Sequence, residues 1–487
     1  MNASLIVLEL AVVILGLVVL VQDWFTPAKD RRTLGFGAVL GVAVVLFYSF
    51  FAFDGTETLY AFGNAYVLDG LALWFKRFFL LAALLVLLMA TEFSDRFDAG
   101  QSEFFALILF ALAGMMFAAS ANDFMLLFVS LELITVTFYV LVSFLRRRVE
   151  SLEAGVKYLI LGALSSGFLV YGIALIFGAS GTMNFNDLAD KLTNNSALGH
   201  KPLLTAGILL VLVGLGFKMA AVPFQIWAPD VYQGSPTPTT AFLSVGSKAA
   251  GVVLLMRLLG TAIPDLAFNL EKLLMAMAAA TILYGSLCAI PQRNLKRLLG
   301  YSSIASAGYL LLGFAVMNKA GSSAVLYYLA GYLFTVLAAF TVIAVVVQQA
   351  GAEDISSLAG LAQRSPLLAT SLTLAMVSLA GIPPLAGFFG KFLLLKAVIA
   401  EGVRWHAYYW LFAVAVVGVL ISLYYYFGVV KAIYWSKGAT DLSPIPVSLP
   451  TKFALLVCIV GMFWLGLNPD GALELAVEAV KALKLTA

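Results

Sequence analysis

SLAGIPPLAGFFGKF, residues 378–392, lies inside an apolar run that extends from 365 to 400. As one straight helix that run would be roughly 54 Å long, well beyond a hydrocarbon core of ~30 Å. Gly381, Pro383 and Pro384 stand near its centre. Proline removes an amide donor and clashes with the preceding turn, so the helix is expected to break there. Lys391 follows Pro384 by seven residues. Broken backbone at membrane depth is tolerated only where protein or a water-filled cavity satisfies it. A second run, 203–228, repeats the pattern, with Pro223 inside it and Lys218 five residues earlier.

The rest of the chain agrees with a membrane reading. Of 487 residues, 62% are hydrophobic and 11% are charged, and the mean hydropathy is +1.00. Soluble domains carry about 25% charged residues, so a soluble enzyme is excluded, and so is a disordered chain. About 14 apolar segments can be placed, which predicts an all-α integral membrane protein. No segments of about 10 residues with alternating polarity suggest a barrel. The first stretch, 4–22, lacks a basic leader and a small-residue cleavage site, and is read as a retained span.

Basic residues gather in four connections: Lys29, Arg31 and Arg32; Arg146, Arg147 and Arg148; Arg293, Lys296 and Arg297; Lys431, Lys437 and Lys452. These follow spans 1, 5, 9 and 13, which share one parity. By the positive-inside rule that side is cytoplasmic, and both termini are then expected outside. The broken runs are spans 7 and 12, five apart. Two five-helix repeats follow, and an odd number of spans per repeat makes the copies inverted. The expected organisation is a three-helix segment over 1–102, repeats over 103–260 and 261–434, and a final helix with a short interfacial tail over 435–487.

Four charges lie at depth: Glu132, about 12 Å into span 5, Lys218, Lys248 near the middle of span 8, and Lys391. Each costs at least ~2.5–3.5 kcal/mol at the bilayer centre. One buried ion pair would account for Glu132 and one lysine, and would leave two lysines without an acid. A proton relay accounts for all four, because a desolvated lysine can load and release a proton near neutral pH. Two unit charges ~7 Å apart at an effective dielectric of ~20 interact by about 2.4 kcal/mol. That matches the ~2.3 kcal/mol needed to move one charge against 100 mV. A Glu132–Lys218 pair at such a spacing is therefore suited to driving a proton off the lysine.

Weaker candidates are Glu153 and Lys157, an i,i+4 pair that is either a surface pair or part of a cytoplasmic uptake path toward Glu132. Lys296 is either an orientation charge or a pathway lip. Asp230 is expected to order a loop, and Lys396 to snorkel. Lys76 and Arg77 are expected to touch lipid or a partner. Ser302, Ser303 and Ser306 can hold water or bond their own helix, and the Tyr424–Tyr426 run is expected to pack or form an interface belt. Cys288 and Cys458 are far apart in sequence and suggest no disulfide or cluster; His200 and His406 lie near span ends. No dinucleotide fingerprint, phosphate loop, metal motif or nucleic-acid patch is present, so neither a cofactor nor a metal is expected in this chain.

Six stretches resemble the antiporter-like membrane subunits of respiratory complex I, the bacterial NADH–quinone oxidoreductase. They are LELITVTFYVL (131–141), EAGVKYLILGALSSG (153–167), GLGFKMAAVPFQIWAPDVYQGSPTPTTAFL (214–243), SVGSKAAG (244–251), RNLKRLLGYSSIASAGYLL (293–311) and SLAGIPPLAGFFGKF (378–392). Lys391, where another branch has glutamate, and the absence of a long lateral helix after span 14 resemble the N branch. The resemblance implies one proton channel. In it Glu132 modulates Lys218, Lys248 bridges two half-channels, and Lys391 serves the periplasmic half. It places NADH, FMN, iron–sulfur clusters and quinone in partner subunits. It implies a neighbouring antiporter-like subunit, small membrane subunits and the lipid bilayer as partners. Multi-subunit cation/proton antiporters and hydrogenase-linked pumps share this fold and are the alternatives. Where the family commonly has a histidine in span 10, this chain has Ser306, so the central relay is expected to depend on water.

Overall fold

The computed structural model describes all residues except 1–2, 28–29, 56, 98–99, 352, 437–441 and 486–487. Among the described residues, thirteen helices are long and apolar enough to cross a membrane. In chain order they are Ser4–Asp23, Arg32–Ala52, Gly70–Phe93, Gln101–Ala119, Phe124–Val142, Val149–Ser180, Pro202–Met219, Thr237–Ala262, Pro264–Ala289, Leu295–Ala315, Lys319–Gln349, Ala407–Trp435 and Leu449–Leu467. The remaining crossing is divided into Pro366–Ala380 and Ala386–Glu401. It is span 12 of 14. Helix is the form in which an apolar segment satisfies its own backbone. The ends are set by polar caps: Asp69, Asp123, Asn294, Asn318 and Ser448 each accept from a first-turn amide.

The connections sort onto two faces by their own contacts. Tyr66 bridges to Ala121, and Asp123 to Asn184. Thr193 bonds Asp265, Glu271 meets Arg404, and Asn318 bonds Glu401. These join the connections after spans 2, 4, 6, 8, 10 and 12. On the opposite face Arg32 meets Glu92, Arg96 bonds the Val347 carbonyl, and Arg148 meets Glu353. There too Asp230 meets Arg297, Asn294 bridges to Asp354, and Arg364 bonds the Ser443 carbonyl. All four basic clusters fall on this second face, apart from Lys29 and Lys437, which lie outside the described residues. A miscounted span would have mixed the two sets.

Three features depart from the expected spans. Span 8 includes two wider turns of π type, Leu243–Ser247 and Leu258–Ala262, either side of Lys248–Arg257. Span 9 begins with a short turn at Pro264, ahead of its regular helix Glu271–Ala289. A short antiparallel hairpin pairs Leu59–Ala61 with Tyr66–Leu68 ahead of span 3. Span 8 is buried along its whole length, whereas spans 1, 2 and 6 keep much of their apolar surface outward. That outward surface is what a lipid-facing helix requires. The tail helix Pro469–Val480 lies against spans 3 and 11 through Ala476, Ala479 and Val480.

Candidate functional site

Span 7 ends its first half at Met219, and Ala220 turns away with φ +59°. The carbonyls freed by this break have partners. Ala221 donates to the Gly216 carbonyl at 2.9 Å, and the Trp227 indole donates to that of Phe217 at 2.9 Å. The second half, Trp227–Gly234, then leads into span 8. Lys218 is held in the last turn before the break. Its Nζ donates to Thr135 Oγ1 at 2.8 Å. Thr135 in turn donates to the Leu131 carbonyl at 2.6 Å, so its oxygen is left to accept. Glu132 stands one turn before Thr135 on span 5 and accepts from Ser166. Among the described residues no ion pair within the 4.0 Å limit joins Glu132 to Lys218. Lys218 is thus held by a hydroxyl and not by the carboxylate.

Lys391 lies after the break in span 12. Gly381 ends Pro366–Ala380 with φ +84°, and Lys391 Nζ reaches back to the carbonyls of Leu379 at 2.7 Å and Ala380 at 3.5 Å. Those are orphan acceptors at a helix C-terminus, where the helix dipole favours a cation. Lys248, between the two breaks in sequence, donates to the Ser303 carbonyl at 2.5 Å and to the Ser303 hydroxyl. All three lysines are buried, at 2–6% exposure. Among the described residues none of them has a carboxylate partner within ion-pairing distance. The serines of span 10 do not bond their own helix: Ser303 also meets Tyr232 and Tyr332, and Ser302 meets Tyr426. Tyr425 and Tyr426 are buried, and only Tyr424 of that run is exposed.

The weaker candidates form two clusters away from the lysine row. Lys157 Nζ lies 2.6 Å from Glu153 and 2.8 Å from Asp230, and Asp230 also holds Arg297 at 2.6 Å. Asp230 therefore ties spans 6 and 10 to the half-helix that carries it, and Lys157 pairs with it and not with Glu132. Lys296 is buried, paired with Glu353 at 2.9 Å and donating to the Ser235 carbonyl at 2.9 Å. A buried, paired lysine is more than an orientation charge. Lys396 is exposed.

Lys76 corrects the expectation of a lipid or partner contact. It is fully buried, 2.8 Å from Glu9, and shares Tyr66 with it. Beside it Arg257 forms a two-pronged pair with Asp69 at 2.6 and 2.7 Å. Burial pushes the Asp69 carboxyl up, but Arg257 and the Ala72 amide hold it below the usual carboxylate range. Glu9 and Arg257 were legible as charges within apolar runs, but each reads alone in sequence, with its partner on a different span. Among the described residues no three His, Cys, Asp or Glu side chains converge to hold a metal ion.

A polytopic protein with two proline-broken spans and a buried row of lysines is of the antiporter-like class. The chain belongs to the NADH:quinone oxidoreductase/Mrp antiporter membrane family, whose pattern matches residues 121–422, and within it to the subunit N group of NADH–quinone oxidoreductases. The NADH-quinone oxidoreductase subunit N of Desulforamulus reducens is 39% identical over 484 residues, covering 99% of both chains. A chain of respiratory complex I from Thermus thermophilus, solved with bound aureothin, superposes with a TM-score of 0.80 at 32% identity. That match covers 96% of this chain and 99% of the other. A chain of the Mrp complex from Dietzia sp. superposes at 0.86 with 23% identity, covering 99% of this chain and 98% of its own. It establishes a shared fold alone.

Proposed function

We propose that this chain is a proton-translocating membrane subunit of a bacterial NADH–quinone oxidoreductase, and that Glu132, Lys218, Lys248 and Lys391 form its relay. The observation that carries this reading is the row of three buried lysines held by hydroxyls and carbonyls in place of carboxylates. Such acceptors satisfy an ammonium yet do not fix its charge as a salt bridge would. Each lysine can therefore gain and lose a proton. Glu132, one helical turn from the Thr135 acceptor, biases the first of them. The two broken spans sit in inverted five-helix units, 103–260 and 261–434, one half-channel to each. Glu153 and Lys157, with Asp230 between them and Arg297, line the cytoplasmic mouth of the first, and Lys296 that of the span 10–11 side. The basic face is cytoplasmic, in the inner membrane, and both termini are periplasmic.

In this reading the subunit performs no redox step. Electrons move from NADH through flavin and iron–sulfur clusters to quinone in partner subunits. Neighbouring membrane subunits deliver the energy that separates Glu132 from Lys218. The test is an assembled complex with Lys218→Ala or Lys391→Ala in proteoliposomes. Proton pumping driven by NADH–quinone turnover should fall at least about tenfold, as loss of a general acid–base group requires. Electron transfer from NADH to an artificial acceptor should stay near normal. Full pumping by an assembled Lys218→Ala complex would sink the relay.

A further inference from the structure

Among the described residues no lysine, histidine or carboxylate contacts the Lys248 or Lys391 ammonium, yet the interval between them is not apolar. Lys248 Nζ lies 5.4 Å from the centre of the Tyr332 ring. Tyr332 and Tyr328 follow one another by a turn of span 11, with ring centres 6.2 Å apart. Tyr328 and Tyr309 are 6.5 Å apart, and Lys391 Nζ lies 5.0 Å from the Tyr309 ring. The three tyrosines are 2–5% exposed. Their span 10 neighbours Ser303, Ser306 and Tyr309 recur every three residues, and so share one helix face. Ser303 accepts from both Lys248 and Tyr332, and Ser306 stands beside Tyr328. Tyr309 donates to the Ala415 carbonyl at 2.9 Å, leaving its oxygen free to accept.

Phenylalanine would fill the same space without burying a hydroxyl, which is costly unless the group is used or satisfied. Three successive buried phenols aligned from one ammonium to the other are more than packing demands. We propose that Ser303, Tyr332, Tyr328 and Tyr309, with Ser306 beside them, are a hydroxyl ladder that carries the proton from Lys248 to Lys391; this deepens the relay reading and rests on it. In the transferring orientation the Tyr332 and Ser303 hydroxyls turn so that Ser303 donates to Tyr332, and the Lys248 ammonium gives its proton to the Ser303 oxygen as that hydroxyl releases its own to Tyr332. Each hydroxyl in turn takes one proton and passes one on, directly or through a bridging water. The last is taken by the Lys391 amine. Lys248 ends neutral, Lys391 ends charged, and every phenol ends neutral. Rotation of the hydroxyls resets the ladder.

The test uses the assembled complex in proteoliposomes, with Tyr328→Phe and the double variant Tyr328→Phe/Tyr332→Phe. Both keep the rings and remove only hydroxyls, so the fold is expected to survive; Tyr328→Phe alone is the variant of record if the double one fails to assemble. The rate of NADH-driven proton pumping should fall about tenfold, the upper scale of a lost hydrogen bond between neutral groups. Adding Ser306→His should restore it, because imidazole accepts on one nitrogen while donating from the other. Undiminished pumping by Tyr328→Phe, with Lys218→Ala inactive, overturns the ladder and leaves the relay standing. Loss that Ser306→His does not restore assigns the phenols a structural role and also overturns it. Undiminished pumping by Lys218→Ala and Lys391→Ala removes the relay itself.

Discussion

Spans 7 and 12 break at proline in the same way and place their lysines on opposite sides of the break. Lys218 precedes its break and reaches sideways, to a hydroxyl on span 5. Lys391 follows its break and reaches back, to the carbonyls that the break released. Lys218 stands in the last turn of its half-helix, and the Lys391 ammonium reaches the C-terminal carbonyls of the other, where orphan acceptors favour a cation. The difference lies in what else acts on them. Lys218 has Glu132 within electrostatic reach, so its charge is open to the influence of an acid. Lys391 has the Tyr309 ring beside it but hydrogen-bonds only backbone carbonyls, which cannot be switched. The pair thus reads as one adjustable site and one fixed site, which suits proton release driven at the first and passage at the second.

The breaks are also closed differently, and this gives the largest expected effect. At span 12 a Cβ on Gly387 would stand 1.8 Å from the Ser378 carbonyl oxygen, and one on Gly466 would stand 1.9 Å from that of Pro384. Backbone presses on backbone there. Gly387→Ala should therefore prevent the two halves from seating, and the chain should be lost from the assembled complex on a native gel. At span 7 the nearest contact to a Cβ on Gly216 is the Phe224 ring at 2.9 Å, a side chain that can turn. Gly216→Ala should leave most of the chain assembled. Equal loss from both variants would erase the distinction between the two breaks.

Thr135→Val sharpens the comparison at the lysines. It keeps shape and removes the acceptor of Lys218. A hydrogen bond to a charged group is worth about 1.5–3 kcal/mol, so pumping should drop roughly tenfold or more. Lys391 has no side-chain acceptor to delete, so no equivalent substitution exists at span 12. A Thr135→Val complex that pumps at the normal rate would show that Lys218 does not depend on its side-chain acceptor.

Much of this was legible in the sequence, because it depends on patterns that repeat along the chain. Span count, face of the basic clusters and the two breaks all follow from hydropathy, parity and proline. Lys218, Lys248 and Lys391 stand out because a charge in an apolar run is costly wherever the run folds. What was not legible depends on meeting across space. Glu9 and Lys76 are separated by about two spans, and Asp69 and Arg257 by nearly six. A charge read as lipid-facing becomes buried once its partner arrives. Thr135 and Ser166 have no sequence signal, since serine and threonine in a helix ordinarily bond the preceding turn, and Ser303 stands out only as a residue able to hold water. The wider turns flanking Lys248 are likewise set by packing, in a span whose sequence reads as plain helix.

The smallest expected effect separates the rim from the row of lysines. Glu153 and Lys157 form an i,i+4 pair with side chains 59% and 43% exposed. Exposed pairs contribute about 0–1 kcal/mol, so Glu153→Gln should change pumping by less than about fivefold. Asp230 is different, because it holds both Lys157 and Arg297 and ties three elements together. Asp230→Asn should lower thermal stability of the assembled complex more than Glu153→Gln does, read as the temperature at which half the complex is lost. If Glu153→Gln instead abolishes pumping while leaving that temperature unchanged, Glu153 belongs with Glu132 as a working acid, and the proton is captured at the rim before it reaches Lys218.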